Sequence, residues 1–576
     1  MTVIEPPPEA LPTLTAEQWD RLVGYASAAE PVPEGAWLFE PGDRTIDMVL
    51  IEDGEVDICR PAMPDEAHCV VIGMFGPRQF TGELNLLTGQ NASLGARAAT
   101  DAVVRRLDPA ALRQVMEQEP EISDLLLRTM IARREYMRAG EGARSLELIG
   151  VEMSADALAL RTYAARQQLP HTWTDADTPT GAAMLSAVGA ETTDLPIAIT
   201  SSGVLLKTTP GVLAEHLGLS YRPPAQKRAV DLVVIGAGPA GLAAAVYGAS
   251  EGLETLVLEA SAAGGQAAAS SRIENYLGFT SGISGGELTA TAAVQAEKFG
   301  ARIASPCPVA KLNAHDDVVD LTLVDGTQLA ARAVVIATGA RYRALPLERW
   351  TDFEGAGIYY AATNIEARAC AQNPVAVVGG ANSAGQAALY LAGRGSKVSL
   401  VVRGSDLRAR MSAYLADRIL AHPEIAVHTG AEVGALHGGT RLEAISLRTN
   451  GAGKASHDGT GIGIGTNMNM SAGDAALDQI PCSGLFCFIG AVPATDWLSG
   501  LAVDEKGFLR TDWQLRDEEL GGPWPSLGRR PLPFETSEPQ VFAAGDVRSG
   551  SMKRVAAAVG EGASAVSSVH LALGGL

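Results

Sequence analysis

Along the chain the apolar positions change character twice. From residue 14 to about 135 they come in short β-type runs cut by Gly35, Gly42, Gly54, Gly73 and Gly76, and a helical stretch covers 109–136. That pattern predicts a small β-barrel or jelly roll capped by helices. Residues 146–220 follow with β–α–β–β–α periodicity, and Pro223-Pro224 opens a linker. Beyond residue 229 the runs become nearly unbroken and aliphatic, as at 231–235 and 374–378, and each passes through glycine into a helical pattern. Continuous apolar strands alternating with helices predict an α/β architecture with parallel sheets covered on both faces. Residues 1–13 read as a flexible tail. Residues 450–478, rich in Gly, Asn, Ser and Ala without a usable period, read as a mobile insertion, with a substrate lid as the alternative.

Each of the two aliphatic runs leads into a glycine-rich turn. Gly236-Ala237-Gly238-Pro239-Ala240-Gly241 succeeds the first, and Gly379-Gly380-Ala381-Asn382-Ser383-Ala384 succeeds the second, 143 positions on. Glycine lets backbone approach a pyrophosphate, and the helix start behind it offers free N–H groups and a positive dipole end. Two copies imply two dinucleotides, and a flavin with a nicotinamide is the simplest pairing. In the first unit the second strand ends at Glu259, 23 residues beyond Gly236. A carboxylate there suits a ribose diol and repels a 2′-phosphate. The matching position in the second unit, 24 residues beyond Gly379, is Arg403, with Arg408 close behind. Cations there favour a phosphate, unless they form only a solvated face. Site one therefore suits FAD and site two NADPH.

Bulk properties narrow the classes. A chain of 576 residues has room for three or four domains. Its 47% apolar content supplies ample core. A net charge of −21 argues against nucleic acid and anionic membrane as partners. The acidic, proline-rich start has no basic n-region, and no apolar run reaches spanning length, so a soluble, cytoplasmic protein is expected. The six cysteines, Cys59, Cys69, Cys307, Cys370, Cys482 and Cys487, form no C-x-x-C pair, and the nine histidines show no ligand spacing. Neither a disulfide framework nor a metal site is expected, and the thiols read as small buried hydrophobes.

From about residue 230 to the C-terminus the chain resembles the low-molecular-weight thioredoxin reductase family. The residues that carry this are the first fingerprint, Gly264-Gly265-Gln266, Ile273-Glu274-Asn275-Tyr276-Leu277-Gly278-Phe279 and Ala337-Thr338-Gly339. Two later stretches, 490–495 (GAVPAT) and Phe542-Ala543-Ala544-Gly545-Asp546, complete it. The resemblance implies an FAD domain in two pieces, 229–343 and 481–576, with an NADPH domain inserted at 344–480, both Rossmann-like, and a homodimer. It implies that Gly265, Gln266, Asn275, Thr338 and Gly339 line the flavin cofactor, the two amides facing flavin heteroatoms. Gly545 and Asp546 would hold the ribitol hydroxyls, the alternative for Asp546 being an ordinary helix cap. A long helix over 547–573 would aim its dipole at the pyrimidine end of the ring system. Lys553 and Arg554 stand where the family keeps an arginine–glutamine pair against the flavin, and Val555 after them is a further expected cofactor contact.

One departure changes the expected chemistry. The family carries a C-A-T-C pair shortly before the second fingerprint, whereas this chain has Ala361-Ala362-Thr363-Asn364. Relay to a disulfide needs a thiolate attacking a partner sulfur, which alanine and an amide cannot provide. The expected acceptor is therefore a quinone, oxygen or a one-electron carrier, small molecule or small protein. Two alternatives stay open: a thioredoxin-disulfide reductase using Cys482 or Cys487, and a non-catalytic flavin redox sensor. A second departure is Ala381 in place of the middle glycine, which either weakens NADPH binding or shifts the turn.

Residues 14–140 resemble a cyclic-nucleotide-binding domain, through Gly35-Ala36-Trp37-Leu38-Phe39-Glu40-Pro41-Gly42-Asp43, Ile51-Glu52-Asp53-Gly54-Glu55-Val56 and Gly82-Glu83-Leu84-Asn85-Leu86-Leu87. The resemblance implies ribose binding by Glu83, but Ala92 stands where a phosphate-pairing arginine belongs, and Arg97 lies five residues on. A degenerate regulatory or interaction module, open to a nucleotide effector, is the expectation. Residues 146–222 resemble a thioredoxin fold, with Leu195-Pro196 as its cis-proline loop and no cysteine between Cys69 and Cys307.

Overall fold

A computed structural model describes residues 6–44, 46–62, 68–82, 91–152, 154–200, 202–223, 228–270, 272–273, 275–315, 318–362, 364–370, 372–449 and 477–574. The N-terminal unit is a barrel of two four-stranded antiparallel sheets. One holds Glu30–Val32, Ala102–Leu107, Met48–Asp53 and Phe80–Thr81; the other holds Trp37–Phe39, Gly95–Ala98, Val56–Arg60 and Val70–Phe75. Helices Pro109–Gln118 and Pro120–Ala139 close it, the first capped by the Asp108 carboxylate, which accepts from the N–H groups of Ala110 and Ala111. The expected flexible tail is corrected over its described part. Ala10 is buried, and the Arg133 guanidinium donates to its carbonyl oxygen at 2.7 Å.

The second unit is a four-stranded sheet ordered Thr172–Asp175, Leu146–Gly150, Ile197–Thr200, Gly203–Leu205. Its first pair is parallel and the others antiparallel. The expected β–α–β–β–α order lacks one helix, Pro179–Ala187, which Thr178 caps and Pro179 opens. The peptide bond between Leu195 and Pro196 is cis. The backbone N–H of Asn91 donates to Leu217 O and its amide to His216 O, joining the barrel to this unit.

The third unit is built on a seven-stranded sheet. Arg302–Ala304, Thr255–Leu258, Val230–Ile235 and Gln328–Ile336 run parallel, Val541–Ala543 joins the far half of Gln328–Ile336, and an antiparallel pair, Val309–His315 and Val318–Leu323, completes it. Aliphatic clusters cover both faces, as continuous apolar strands require. The fourth unit has five parallel strands ordered Ile358–Tyr359, Gly484–Cys487, Val375–Val378, Val398–Val402, Ile425–Thr429. An antiparallel meander, Ala431–His437, Ala444–Thr449 and Leu477–Pro481, flanks it.

The boundary expected at 480/481 moves. Gly484–Cys487 pairs with two strands of the fourth unit, and the chain returns to the third only at Ala491–Pro493, which pairs with Ala340–Tyr342. The insertion expected at 450–478 lies outside the described residues up to 476, and Leu477 and Asp478 belong to a strand. Among the described residues no helix is long and apolar enough to cross a membrane.

Candidate nucleotide-binding sites

The first fingerprint sits where the central strand Val230–Ile235 turns into the helix Pro239–Ser250. Gly236 takes φ +105°, and Gly238 is the N-cap residue with no side chain capping the helix. The first-turn N–H groups are thus left for an outside acceptor. A Cβ on Gly241 would lie 1.8 Å from Gly236 O, so only glycine allows this turn. Ala240 packs beneath: a Cβ on Gly545 would approach its own Cβ to 2.8 Å. The buried Glu259 accepts from the Ala237 N–H at 2.7 Å, and from the Ser261 N–H and hydroxyl at 2.9 and 3.1 Å. It therefore braces the turn and keeps acceptor capacity for a diol.

Other expected flavin residues come together around this turn. Gly265 closes on Gly238, a Cβ there coming within 2.9 Å of Gly238 Cα. The Gln266 amide donates to Ala340 O. Thr338 donates to Ala494 O at 3.0 Å, and the Ala494 N–H returns to Gly339 O at 3.1 Å, so the two pieces of the domain are tied beside the site. Asn275 is exposed, on the loop that the Ile273–Ile283 bridge closes.

The expected long helix from 547 is corrected. Gly545–Val547 forms a short 3-10 turn, Arg548 turns extended, and the helix runs Val555–Ala572 with Arg554 as its N-cap residue. The reason is Glu561. Its carboxylate accepts from the Gly545 N–H at 2.8 Å and from both ends of the Arg548 guanidinium at 3.1 and 2.7 Å, pinning the loop. Burial pushes the Asp546 carboxyl above its ordinary range, with Lys553 opposing. Lys553 donates to Asp546 O, lies 4.3 Å from the Phe508 ring centre, and is itself pushed down by burial. This cradle, carboxylate and cationic loop fit FAD.

The second fingerprint joins the strand Val375–Val378 to the helix Asn382–Gly393. Gly379 takes φ +150°, and Ala381 sits extended at φ −108°, ψ 177°, where a side chain adds no backbone strain. Ala384 is buried in the first turn. Asn382 spends its amide oxygen on the Ser412 N–H at 2.8 Å, while Ser383 stays exposed. A cavity of about 1120 Å³ opens here, lined by Gly379, Gly380, Ala381 and Arg403 among others. Arg408 is not among its lining residues; it is ion-paired to Asp417. Arg410 lines the cavity instead, with Arg448 from the meander. Arg408 lies within the 3-10 turn Leu407–Ala409 and Arg410 just past it, and the sequence held no signal that favoured one over the other. Arg448 is far away in sequence and left none. Cations around a turn of this kind fit NADPH.

Ala361 and Ala362 lie just beyond the strand Ile358–Tyr359, and the helix Asn364–Ala369 begins two residues after Ala362. The remaining thiols lie elsewhere. Cys482 and Cys487, expected on the FAD domain, flank and end the strand Gly484–Cys487 in the other sheet, both fully buried. Burial pushes the Cys370 and Cys482 thiols up to about 12 and the Cys487 thiol up to about 11.

In the N-terminal barrel, Glu83 lies outside the described residues. Ala92 is buried and lines an apolar cavity of about 100 Å³ with Phe39, Ile58 and Phe75. Arg97 lies on the strand Gly95–Ala98, paired with Asp57 at 3.6 Å and 5.7 Å from the Trp37 ring centre.

Comparison with known proteins matches residues 230–562, more than half of the chain, to the pyridine nucleotide-disulphide oxidoreductases. Residues 29–119 match the cyclic nucleotide-binding domain. A thioredoxin reductase of Treponema pallidum is 32% identical over 333 residues, which is 58% of this chain and 94% of the relative. One from Streptomyces coelicolor is 31% identical over 337 residues, covering 58% and 91%. The crystal structure of T. acidophilum thioredoxin reductase aligns with a TM-score of 0.50 at 26% identity, over 60% of this chain and 99% of that one.

Proposed function

Because the chain belongs to the pyridine nucleotide-disulphide oxidoreductase family, with FAD and NADPH as the cofactors of its thioredoxin reductase relatives, we propose that its electron acceptor is not a disulfide. One observation carries this reading: both nucleotide turns are built, while the stretch leading into the helix Asn364–Ala369 reads Ala361-Ala362-Thr363-Asn364. The burial of Cys370, Cys482 and Cys487 supports it, since a thiol held near 11–12 yields almost no thiolate at neutral pH.

When bound, FAD supplies a centre that takes a hydride from NADPH and gives two electrons to the acceptor. The chain's own residues position and stabilise. Glu259 takes the adenosine ribose diol, and the first turn of Pro239–Ser250 the pyrophosphate. Gln266 and Asn275 orient the ring system, and Asp546 the ribitol. The start of the helix Val555–Ala572, with Lys553 and Arg554, favours negative charge at the ring's pyrimidine end. Arg403 and Arg410 hold the 2′-phosphate of NADPH. A quinone acceptor would take two electrons and two protons and leave as hydroquinone; oxygen or a one-electron carrier are the other members of the class. The family likeness supports a homodimer.

Anaerobic addition of NADPH to the purified yellow protein tests the reading. Rapid bleaching, followed by re-oxidation by a quinone in a variant with all six cysteines replaced, is expected. A flavin that NADPH leaves oxidised would favour the redox-sensor alternative. Turnover lost with the cysteines would favour disulfide chemistry.

A further inference from the structure

The helix Ala155–Arg166 belongs to the cysteine-free second unit, yet it touches both nucleotide-binding domains. In its first turn Ala155 closes on Gly355 of the NADPH-binding domain: a Cβ on Gly355, itself at φ +75°, would stand 3.0 Å from both Cα and Cβ of Ala155. Leu158, half-buried, packs on the core cluster that includes Tyr359, Cys370 and Phe486. At the other end the buried Tyr163 donates its hydroxyl to Ser305 O of the FAD domain at 2.9 Å. Ala262 of that domain enters the core of the second unit beside Leu160 and Tyr163. In the last turn Arg166 lies within electrostatic reach of Glu259, Glu366 and Tyr342, a carboxylate from each domain and the phenol at the crossover.

The chain passes between the two nucleotide domains through the ribbon formed by Ala340–Tyr342 and Ala491–Pro493. Two strands crossing at one place form a hinge, about which the domains could turn. Arg166 stands beside that ribbon, near Tyr342, whereas Ala155 is a helix length of about 16 Å away. A contact so far from the hinge has the leverage to stop rotation. We propose that the cysteine-free unit is an internal strut: the helix Ala155–Arg166 fixes the relative orientation of the two nucleotide domains, and Ala155 and Leu158 are its releasable end. The two ends differ in kind. The FAD end has a buried hydrogen bond, a shared core and the continuous chain through Leu219 and Tyr221. The NADPH end rests on van der Waals contacts of Ala155 and Leu158.

The consequence for catalysis rests on the function proposed above, but the orientation can be measured without NADPH. Spin labels would be placed in the holoprotein at Val324→Cys on the FAD domain and Leu420→Cys on the NADPH-binding domain, both exposed positions, in a Cys69→Ser background. Pulsed dipolar spectroscopy should give one narrow distance for this parent. Adding Leu158→Asp should broaden it or add a second distance several ångströms away, with flavin absorbance unchanged. Adding Tyr163→Phe should leave it narrow. If Leu158→Asp disrupts folding, Ala155→Arg reports on the same contact. A distribution unchanged by both NADPH-end variants, or broadened by Tyr163→Phe alone, overturns the strut. A flavin that NADPH does not reduce overturns the proposed function and leaves the distances to decide the strut.

Discussion

The rings of Tyr342 and Tyr360 are stacked, their centres 5.9 Å apart and their planes 3° from parallel. Tyr342 ends the strand that leaves the FAD domain, and Tyr360 immediately precedes Ala361, so the stack spans the crossover between domains. Phe488 meets Tyr342 edge-on at 6.3 Å. The Tyr360 hydroxyl donates to Glu354 at 2.5 Å and accepts from the Trp350 indole at 2.9 Å. A double-mutant cycle of Tyr342→Ala and Tyr360→Ala should show coupling of about 0.5–1.5 kcal/mol in denaturant unfolding. Tyr360→Phe keeps the stack and removes both hydroxyl bonds, leaving the Trp350 indole to donate to Glu354 alone at 3.3 Å, at a cost of about 0.5–1.5 kcal/mol. No coupling in the cycle would make the stack incidental.

Gly241→Ala should abolish flavin binding. Its Cβ would stand 1.8 Å from a backbone oxygen of the same turn, so the turn must open. The purified variant should be colourless, with the 450 nm to 280 nm absorbance ratio near zero on addition of FAD. In the second site Ala384 already fills the corresponding place, and Ala384→Gly should leave flavin content unchanged.

Cofactor preference should depend on Arg403 and Arg410, which line the large cavity, and little on Arg408, which is engaged by Asp417. Replacing Arg403 and Arg410 by alanine should raise KM for NADPH by about tenfold or more and leave KM for NADH nearly unchanged. Arg408→Ala should change neither beyond about twofold. Steady-state kinetics with both nucleotides distinguish the two cations.

Thiol chemistry should be nearly silent in the folded protein. Burial pushes Cys59, Cys370 and Cys482 up to about 12, and Cys307 and Cys487 up to about 11, while Cys69 is partly exposed. Ellman's reagent at pH 8 should titrate about one thiol in the native protein and all six in denaturant. Two or more fast native thiols would revive the disulfide route.

Acid should remove the contribution of Asp504. Burial alone would raise its carboxyl, but the Ser549 hydroxyl and the N–H groups of Lys506 and Phe508 hold it below the ordinary 3.8. A carboxyl depressed in the folded state stabilises fully above its unfolded value, and loses that effect as pH falls through the folded one. The Tm difference between the natural protein and Asp504→Asn should therefore be constant near neutral pH and shrink below about pH 3.8. A difference that persists at lower pH would place the effect in packing rather than charge.

Within each nucleotide unit, the sequence alone determined the turn, because the turn is local. Glycines at fixed spacing between an aliphatic strand and a helix leave one low-energy backbone path, and the charge at the end of the next strand, Glu259 or Arg403, comes within about two dozen positions. The absence of a C-x-x-C pair was equally legible. Tertiary structure decided what depends on long-range pairing. Gly484–Cys487 reads as an apolar strand wherever it is placed, and only its hydrogen bonds to Ile358–Tyr359 and Val375–Val378 assign it to the second sheet. The late start of the helix at Val555 came from Glu561 holding Gly545 and Arg548, and the N-terminal segment is held at Ala10 by Arg133 and at Leu11 by Gln79, both distant in sequence. Which cations line the second cavity was also a tertiary outcome: Arg403 and Arg410 face it, while Arg408 pairs with Asp417. Local spacing fixes backbone conformation, whereas sheet membership and side-chain partnership are settled by groups that meet only after the chain has folded.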